Sequence, residues 1–445
     1  MELIGSIPLF GGFLSTLIAF VAVLSVIIFI HEFGHYIVGR WCGIHAEVFS
    51  MGFGPVLAKW HDKRGTKWQL AAFPFGGYVK FLGDADASSR NDPEALAAMD
   101  AETRSKSFHG AKLYKKALTV AAGPFANFIL SSAIFTAIIM TSGLATDTPT
   151  VGGLKNLPEA GYNLREGDVI EAINQVQTPD YAALYDYARS DTDVSAPQVY
   201  QVLRDGQVVT ATGPFPLLPL IDNVQPQSAA MAAGLAIGDL ILGIDGQPIT
   251  AFSELQDLVA ESAGAEMQLS VWRAGEVLDF ALAAKTVDMP DGDGGFEQRV
   301  LIGITGGLFF EPETFTPGAL EALGMGVGQT GRIITSSLNG LGHMLSGAIS
   351  ACNLQGPVGI AKTSGDAATQ GFASFVWFIA VLSTAIGMLN LFPIPVLDGG
   401  HLVFFAYEAV TGRPPSDKIL QVFMTIGLFF IISLMVFALA NDFFC

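Results

Sequence analysis

The sequence predicts a polytopic α-helical membrane protein with four transmembrane helices, a membrane-associated β-hairpin and two tandem β-rich domains between the second and third helices. Three observations carry this fold class. The 445-residue chain is 51% hydrophobic and 14% charged, with a mean hydropathy of +0.46, too apolar for an ordinary soluble protein. Four uncharged stretches, about Phe10–Ile30, Ala117–Leu144, Phe372–Leu397 and Ile419–Ala440, each reach the roughly 20 residues that a bilayer-spanning helix needs. Between the second and third lies a repeat: Gly167-Asp168-Val169-Ile170-Glu171-Ala172-Ile173-Asn174 aligns with Gly238-Asp239-Leu240-Ile241-Leu242-Gly243-Ile244-Asp245 at an offset of 71 residues.

The first span is expected over 1–43. Met1–Pro8 carries no Lys or Arg and no small-residue cleavage pattern follows the apolar run, so this helix is expected to stay in the mature protein. Residues 44–83 change character, with aromatic and β-branched residues punctuated by Gly52, Gly54-Pro55 and Gly76-Gly77. Asp62-Lys63-Arg64-Gly65 reads as a turn between short strands Val56–Trp60 and Lys67–Ala72. Residues 84–116 form a polar cytoplasmic loop, and 117–144 the second span, in which Gly123-Pro124 and Asn127 stand out because an intramembrane amide needs a polar partner. The two β-rich domains occupy 145–219 and 220–308, with Asp288–Phe296 as a Gly/Asp linker. An amphipathic linker region covers 309–370. The third span covers 371–400, a cytoplasmic loop 401–418, and the fourth span 419–445.

Charge orients these spans. Residues 36–116 hold 12 Lys and Arg, whereas the much longer 143–371 holds 9, so the positive-inside rule puts the first loop in the cytoplasm and the β-rich domains outside. The outer segment carries 27 Asp and Glu, which accounts for the net charge of −18 and argues against nucleic acid as a partner. Cys42, Cys352 and Cys445 are too few and too scattered for a disulfide framework or a thiolate metal site.

Chemistry concentrates at His31-Glu32-Phe33-Gly34-His35. On a helix, two histidines four apart lie on one face and reach a single zinc ion, while Glu32 beside them can take a proton from a water activated there. A hydrolytic zinc site needs a third protein ligand. Asp398, at the cytoplasmic end of the third span, is placed by the charge count on the same side of the membrane as the pentad, and is favoured over His401. Pro393 and Pro395 prevent a regular helix there, which leaves backbone groups that must face protein or a water-filled cavity. Asn390 could bond a substrate backbone or satisfy the broken helix.

The second β-rich copy, with Pro226, Ala232-Ala233-Gly234-Leu235, Gly238-Asp239 and Ile244-Asp245-Gly246, resembles a bacterial PDZ domain, and the first copy does so less fully. Taken in order, His31 to His35, Gly52-Phe53-Gly54-Pro55, Pro74 to Lys80, Gly123 to Asn127, the PDZ-like pair, Gly356 to Ala361 and Asn390 to His401 resemble the site-2 protease family of intramembrane zinc metalloproteases over nearly the whole chain. The resemblance implies one Zn2+ per chain held by His31, His35 and Asp398, with Glu32 as general base. It also implies an unwound substrate segment held by Asn390, Pro395 and the hairpin residues Gly52, Phe53 and Gly54. Implied substrates are single-span membrane proteins, such as an anti-sigma factor already cut outside, and leftover signal peptides. The implied setting is the bacterial inner membrane, with the lipid bilayer around the spans and the zinc site near the cytoplasmic side. The PDZ-like pair would lie in the periplasm and bind peptides or a substrate's outer stub, or exclude bulky substrates. The alternative is a non-enzymatic membrane receptor or chaperone that binds exported peptides through the PDZ-like pair and carries a structural zinc.

Overall fold

A computed structural model describes residues 11–85, 98–158, 161–190, 194, 197–290 and 295–444. Met1–Pro8, part of the cytoplasmic loop (86–97), Ala160 of the repeat and 291–294 of the expected linker lie outside the described residues. Two compact units emerge. One comprises Met1–Ile138, Ala319–Gly347 and Ala351–Cys445, and the other Ile139–Gly318 with Ala348–Ser350.

Among its described residues the first unit holds four helices long and apolar enough to cross a membrane, Gly12–Trp41, Leu113–Ser142, Phe372–Asn390 and Lys418–Phe444. Its helices of more than ten residues are α1 (Gly11–Trp41), α2 (Leu113–Ser142), α3 (Ala319–Ser346), α4 (Pro357–Thr369), α5 (Phe372–Asn390), α6 (Asp398–Thr411) and α7 (Asp417–Phe444). Two expectations change here. The third span ends at Asn390 rather than Leu397, because Pro393 and Pro395 cannot continue the helical hydrogen-bond ladder. The stretch after it, expected as a loop from 401, is helical to Thr411 and ends on Gly412 at φ +69°.

Small residues let these helices approach closely, the packing mode that replaces hydrophobic burial within a bilayer. A Cβ on Gly34 of α1 would strike the Ala122 carbonyl oxygen and lie 2.7 Å from the Ala126 Cβ, so α2 crosses α1 inside the pentad itself. Helix α5 meets α2 in the same way at Gly387, where a Cβ would lie 3.0 Å from the Pro124 carbonyl oxygen. The Ser131 hydroxyl donates to the Ala380 carbonyl at 2.8 Å and the Ser383 hydroxyl to the Asn127 carbonyl at 3.0 Å. Lys116 of α2 pairs with Glu408 of α6 at 3.2 Å.

The hairpin strands are longer than expected, β1 over Ala46–His61 and β2 over Lys67–Phe81. Each bends and pairs twice. Residues 46–51 lie between 67–70 and 77–81, and 56–61 pair with 67–71 on the far side, so one hairpin makes a four-segment mixed sheet whose two central segments, 48–51 and 67–70, are in parallel register. Gly52 and Gly54, at φ +89° and +85°, make the bend in β1, a conformation that side chains on Cβ disfavour. The Asp62 carboxylate ties the tip down, accepting from the Tyr36 hydroxyl of α1 at 2.7 Å and from the Arg64 and Thr66 backbone N–H groups at 2.8 and 3.0 Å. Phe53, Leu57, Trp60, Phe73 and Phe75 remain exposed, an apolar surface suited to lipid rather than water.

The second unit expresses the repeat in three dimensions. Val176–Gln177, Val169–Ile173, Gln198–Arg204 and Gln207–Gly213 form one four-stranded sheet in that order, and Gln247–Pro248, Leu240–Ile244, Glu266–Arg273 and Glu276–Ala283 form another of the same order. Helices Tyr181–Arg189 and Phe252–Glu261 follow the short second strand in each copy, and each copy has its own apolar core. The repeated aspartates do equivalent work: Asp168 accepts from Arg204 at 2.7 Å through both carboxylate oxygens, and Asp239 accepts from Arg273 at 2.6 Å through both of its own.

The boundaries expected from sequence shift in two places. Lys285–Pro290 and Phe296–Leu301 pair as a hairpin where a linker was expected. Phe310–Pro312 and Thr314–Phe315 pair back onto Val151–Leu154 and Leu144–Ala145, so this segment, expected to begin the 309–370 region, closes the first β-rich copy. The second pairing joins strands more than 150 residues apart and carries no mark in local sequence; the first is local, but the Gly and Asp residues around its turn read as a linker.

Burial pushes the Asp168 carboxyl up, but the Arg204 guanidinium and the Arg165 backbone N–H outweigh it and leave it below its usual value. The linked stabilisation is therefore fully present above the ordinary carboxylate range near pH ~3.9 and is lost as pH falls below it. Asp168→Asn, which leaves Arg204 beside an uncharged amide, is expected to cost about 3 kcal/mol at neutral pH. Faster limited proteolysis between 145 and 219 would register the loss; unchanged resistance would refute it.

Candidate active site

Helix α1 delivers His31, Glu32 and His35 in about its last three turns, and the turn between α5 and α6 delivers Asp398 as the first residue of α6. That turn is built for a close approach. A Cβ on Gly400 would lie 2.7 Å from the Pro395 Cα, and one on Gly399 would strike the Leu391 and Phe392 carbonyl oxygens. Val396, between Pro395 and Leu397, sits at φ +93°, a left-handed conformation that is costly for a β-branched side chain and is held here by its surroundings.

The three side chains converge. His31 Nε2 lies 3.2 Å from Asp398 Oδ2, His35 Nε2 lies 3.5 Å from the same oxygen, and the two Nε2 atoms are 3.2 Å apart. A tetrahedral metal with ligands at ~2.0–2.1 Å holds its ligand atoms ~3.3 Å apart, so the spacing fits one zinc-sized ion with a fourth position to spare. Among the described residues this is the group of His, Cys, Asp and Glu with metal-ligating proximity. His401 is not part of it; its ring stacks edge-on with Phe404.

Two orphaned polar atoms support the same fit. Asp398 Oδ2 is buried with no hydrogen-bond partner, a costly state for a carboxylate that a cation relieves. Asn127 Oδ1 is also buried and unpartnered, while the amide nitrogen of Asn127 lies 3.3 Å from His31 Nδ1. Turning the Asn127 amide by 180° about its last bond lets Oδ1 accept from a protonated Nδ1 and frees His31 Nε2 for a metal. His35 is oriented likewise: its Nδ1–H donates to the Thr119 carbonyl at 2.9 Å.

Helix α2 therefore supplies what the pentad lacks. Thr119 and Asn127 aim the imidazoles, and Gly123 between them clears the centre, since a Cβ there would collide with His35 Nε2 and lie 2.9 Å from His31 Nε2. The Gly-Pro pair and the intramembrane Asn were visible signals in the sequence, although close packing was the expected role for Gly123. Thr119 carried no signal, because it acts through a backbone carbonyl that every residue possesses.

Glu32 points to the hairpin. Its Cγ lies where a Gly77 Cβ would come within 2.9 Å, and the Val79 backbone hydrogen-bonds its carboxylate. The register pairs 77–81 with 46–51 on one side, so the strand beside Glu32 is a sheet edge. A cavity of about 30 Å³ opens between α1 and the hairpin, lined by Ser25, Ile28, Phe29, Met51, Gly52 and Gly76 among others. Phe53 stacks on Tyr78 with ring centroids 6.0 Å apart. The Asn390 amide donates to the Ile386 carbonyl of its own helix at 3.1 Å, and the Pro395 backbone packs against α7, where a Cβ on Gly427 would lie 2.9 Å from the Pro395 Cβ. Asn390, Pro395, Gly52, Phe53 and Gly54 are thus not among the side chains that meet at the Nε2 pair.

The sequence profile of peptidase family M50 matches residues 19–434. The chain belongs to peptidase family M50. Membership in this site-2 protease family makes it a metalloendopeptidase and sets aside the receptor reading. Among its relatives, the protein named "Putative zinc metalloprotease" in Agrobacterium fabrum is 38% identical over 436 residues, covering 97% of this chain and 96% of the relative. One of the same name in Rhizobium meliloti is 36% identical, covering 96% of each. The regulator of sigma-E protease RseP of Escherichia coli is 33% identical, covering 97% of this chain and 99% of RseP.

Proposed function

We propose that this M50 peptidase cleaves the transmembrane segments of single-span membrane proteins, using one zinc ion held by His31, His35 and Asp398. The observation that carries the reading is the tetrahedral spacing of three ligand atoms, with Glu32 beside them, between helices long and apolar enough to cross a membrane. The chemistry supplied at such a site is activation of a water and polarisation of the scissile carbonyl. Glu32 takes the water proton and passes it to the leaving nitrogen. Thr119 and Asn127 keep both imidazoles in the tautomer that ligates.

A peptide bond inside a helix is shielded from attack, so the substrate must unwind. The edge strand 77–81 offers backbone groups to which an extended segment can add, with Gly52, Phe53 and Gly54 shaping the bend beside it, and Asn390 and the broken helix at Pro395 bonding its free backbone groups. The name of the Escherichia coli relative and the family resemblance favour a shortened anti-sigma factor as substrate, with remnant signal peptides as a second class. The charge distribution supports a multi-pass bacterial inner-membrane protein with the zinc near the cytoplasmic side and the two β-rich copies, as PDZ-like domains, in the periplasm, where they bind a substrate's outer stub or exclude larger substrates.

The test is cleavage of a single-span substrate in proteoliposomes. Cutting within the span, abolished by a chelator and restored by zinc, is expected; uncut substrate with zinc-loaded protein would refute the proposal. Asn127→Ala, which removes the partner of His31, is expected to weaken zinc affinity about 10–100-fold in a competition titration.

A further inference from the structure

Helix α6 carries Asp398 as its first residue, yet little of the helix is enclosed by its neighbours. Val403, Tyr407 and Val410 are exposed, and Gly399 and Gly400 are its buried residues. These two glycines wedge the first turn against the carbonyl oxygens of Leu391, Phe392 and Ile394. The direction in which α6 leaves that turn depends on what holds its other end.

Lys116, in the first turn of α2, holds it. The Lys116 ammonium donates to both oxygens of the Glu408 carboxylate, at 3.3 and 3.2 Å, and lies 5.3 Å from the centroid of the Phe405 ring. The Phe405 and Phe108 rings meet with centroids 6.4 Å apart, and Leu402 and Phe405 pack against the apolar cluster that includes Tyr36, Phe49 and Phe108. The Lys116 and Glu408 side chains are 12% and 22% exposed, so salt screens their attraction far less than that of a surface pair.

Helical periodicity ties this pair to the ligand group. Residues 116, 119, 123 and 127 follow one another at three, four and four positions, which makes them one face of α2. Lys116 therefore continues the face on which Thr119 and Asn127 aim the imidazoles and Gly123 clears the space between them. Residues 398, 401, 405 and 408 recur in the same manner on α6, and at 1.5 Å per residue Glu408 stands about 15 Å along the helix from Asp398. One face of α2 thus governs both ends of one face of α6, through the imidazoles at Asp398 and through Lys116 at Glu408.

We propose that Lys116 and Glu408 are positioning residues for the metal site: their ion pair fixes the tilt of α6 and so the place of the Asp398 carboxylate opposite His31 and His35. This rests on the reading of Asp398 as the third ligand. Oδ2 of Asp398 stands 3.2 and 3.5 Å from the two Nε2 atoms, a spacing that serves one ion only while the carboxylate keeps its orientation. With the far end of α6 released, the carboxylate samples other orientations, and bound metal must pay the entropy of ordering it.

Metal affinity of the full-length protein in detergent tests this without reference to cleavage. Lys116→Met and Glu408→Gln are each expected to weaken zinc binding about tenfold in a competition titration, the lower end of the range for groups that orient a ligand. Each is also expected to alter the visible absorption of the cobalt-loaded protein, which reports coordination geometry. The double variant is expected to lose no more than either single change, because one change already breaks the pair. Lys116→Arg, which keeps the charge in place, is expected to retain wild-type affinity and the wild-type cobalt spectrum. Wild-type affinity in both Lys116→Met and Glu408→Gln, losses that add in the double variant, or an equal loss in Lys116→Arg would overturn the proposal. Asp398→Ala in the same titration separates the two readings: zinc lost there but unaffected by Lys116→Met and Glu408→Gln removes the positioning role alone, whereas zinc retained there removes the ligand and the positioning role together.

Discussion

Glu32→Gln is expected to reduce cleavage by at least about 1,000-fold while zinc stays bound. The amide has the shape of the carboxylate but cannot take a proton from water. Zinc should remain because the atoms spaced for a metal come from His31, His35 and Asp398, whereas Glu32 turns from them toward Gly77 and Val79. The measurement pairs single-turnover cleavage of a single-span substrate with metal analysis of the same preparation. Cleavage within tenfold of wild type would remove Glu32 from the role of base. Loss of zinc along with activity would instead make it a ligand.

Asp398→Ala is expected to remove the metal itself, with zinc affinity falling by more than about 100-fold, beyond the range seen for residues that merely orient a ligand. Two imidazoles would remain at 3.2 Å, and the anionic ligand that offsets the charge of the ion would be gone. His401→Ala is the matched control, since it lies on the same helix three residues along and outside the ligand group. Zinc retained in the first variant and lost in the second would transfer the third ligand to His401. Retention in both would require a metal site elsewhere.

Local pattern accounts for what was readable beforehand. Four apolar runs, the two-histidine spacing and the 71-residue repeat each depend on neighbours a few residues apart, or on a copy of the same string, and each has its counterpart in the structure. The turn Asp62–Gly65 was readable for the same reason, since its residues favour that conformation wherever they occur. The doubled pairing of β1, and the return of Phe310–Pro312 to Val151–Leu154, were not, because strand partners are chosen by the whole sheet.

By itself, then, the sequence determined that four stretches are long and apolar enough to cross a membrane, that a repeated β-rich pair lies between them, and that His31, Glu32, His35 and Asp398 are the residues proposed to carry its chemistry. Hydrophobic length and the chemical identity of side chains suffice for those conclusions. Only the tertiary structure decided that Gly123 leaves the space between two imidazoles, that Thr119 and Asn127 orient them, that a sheet edge lies against Glu32, and that Lys116 on the same face of α2 reaches Glu408 of α6. Those facts depend on which atoms of distant segments come within about 3 Å of each other, a distance fixed by close packing of the whole unit.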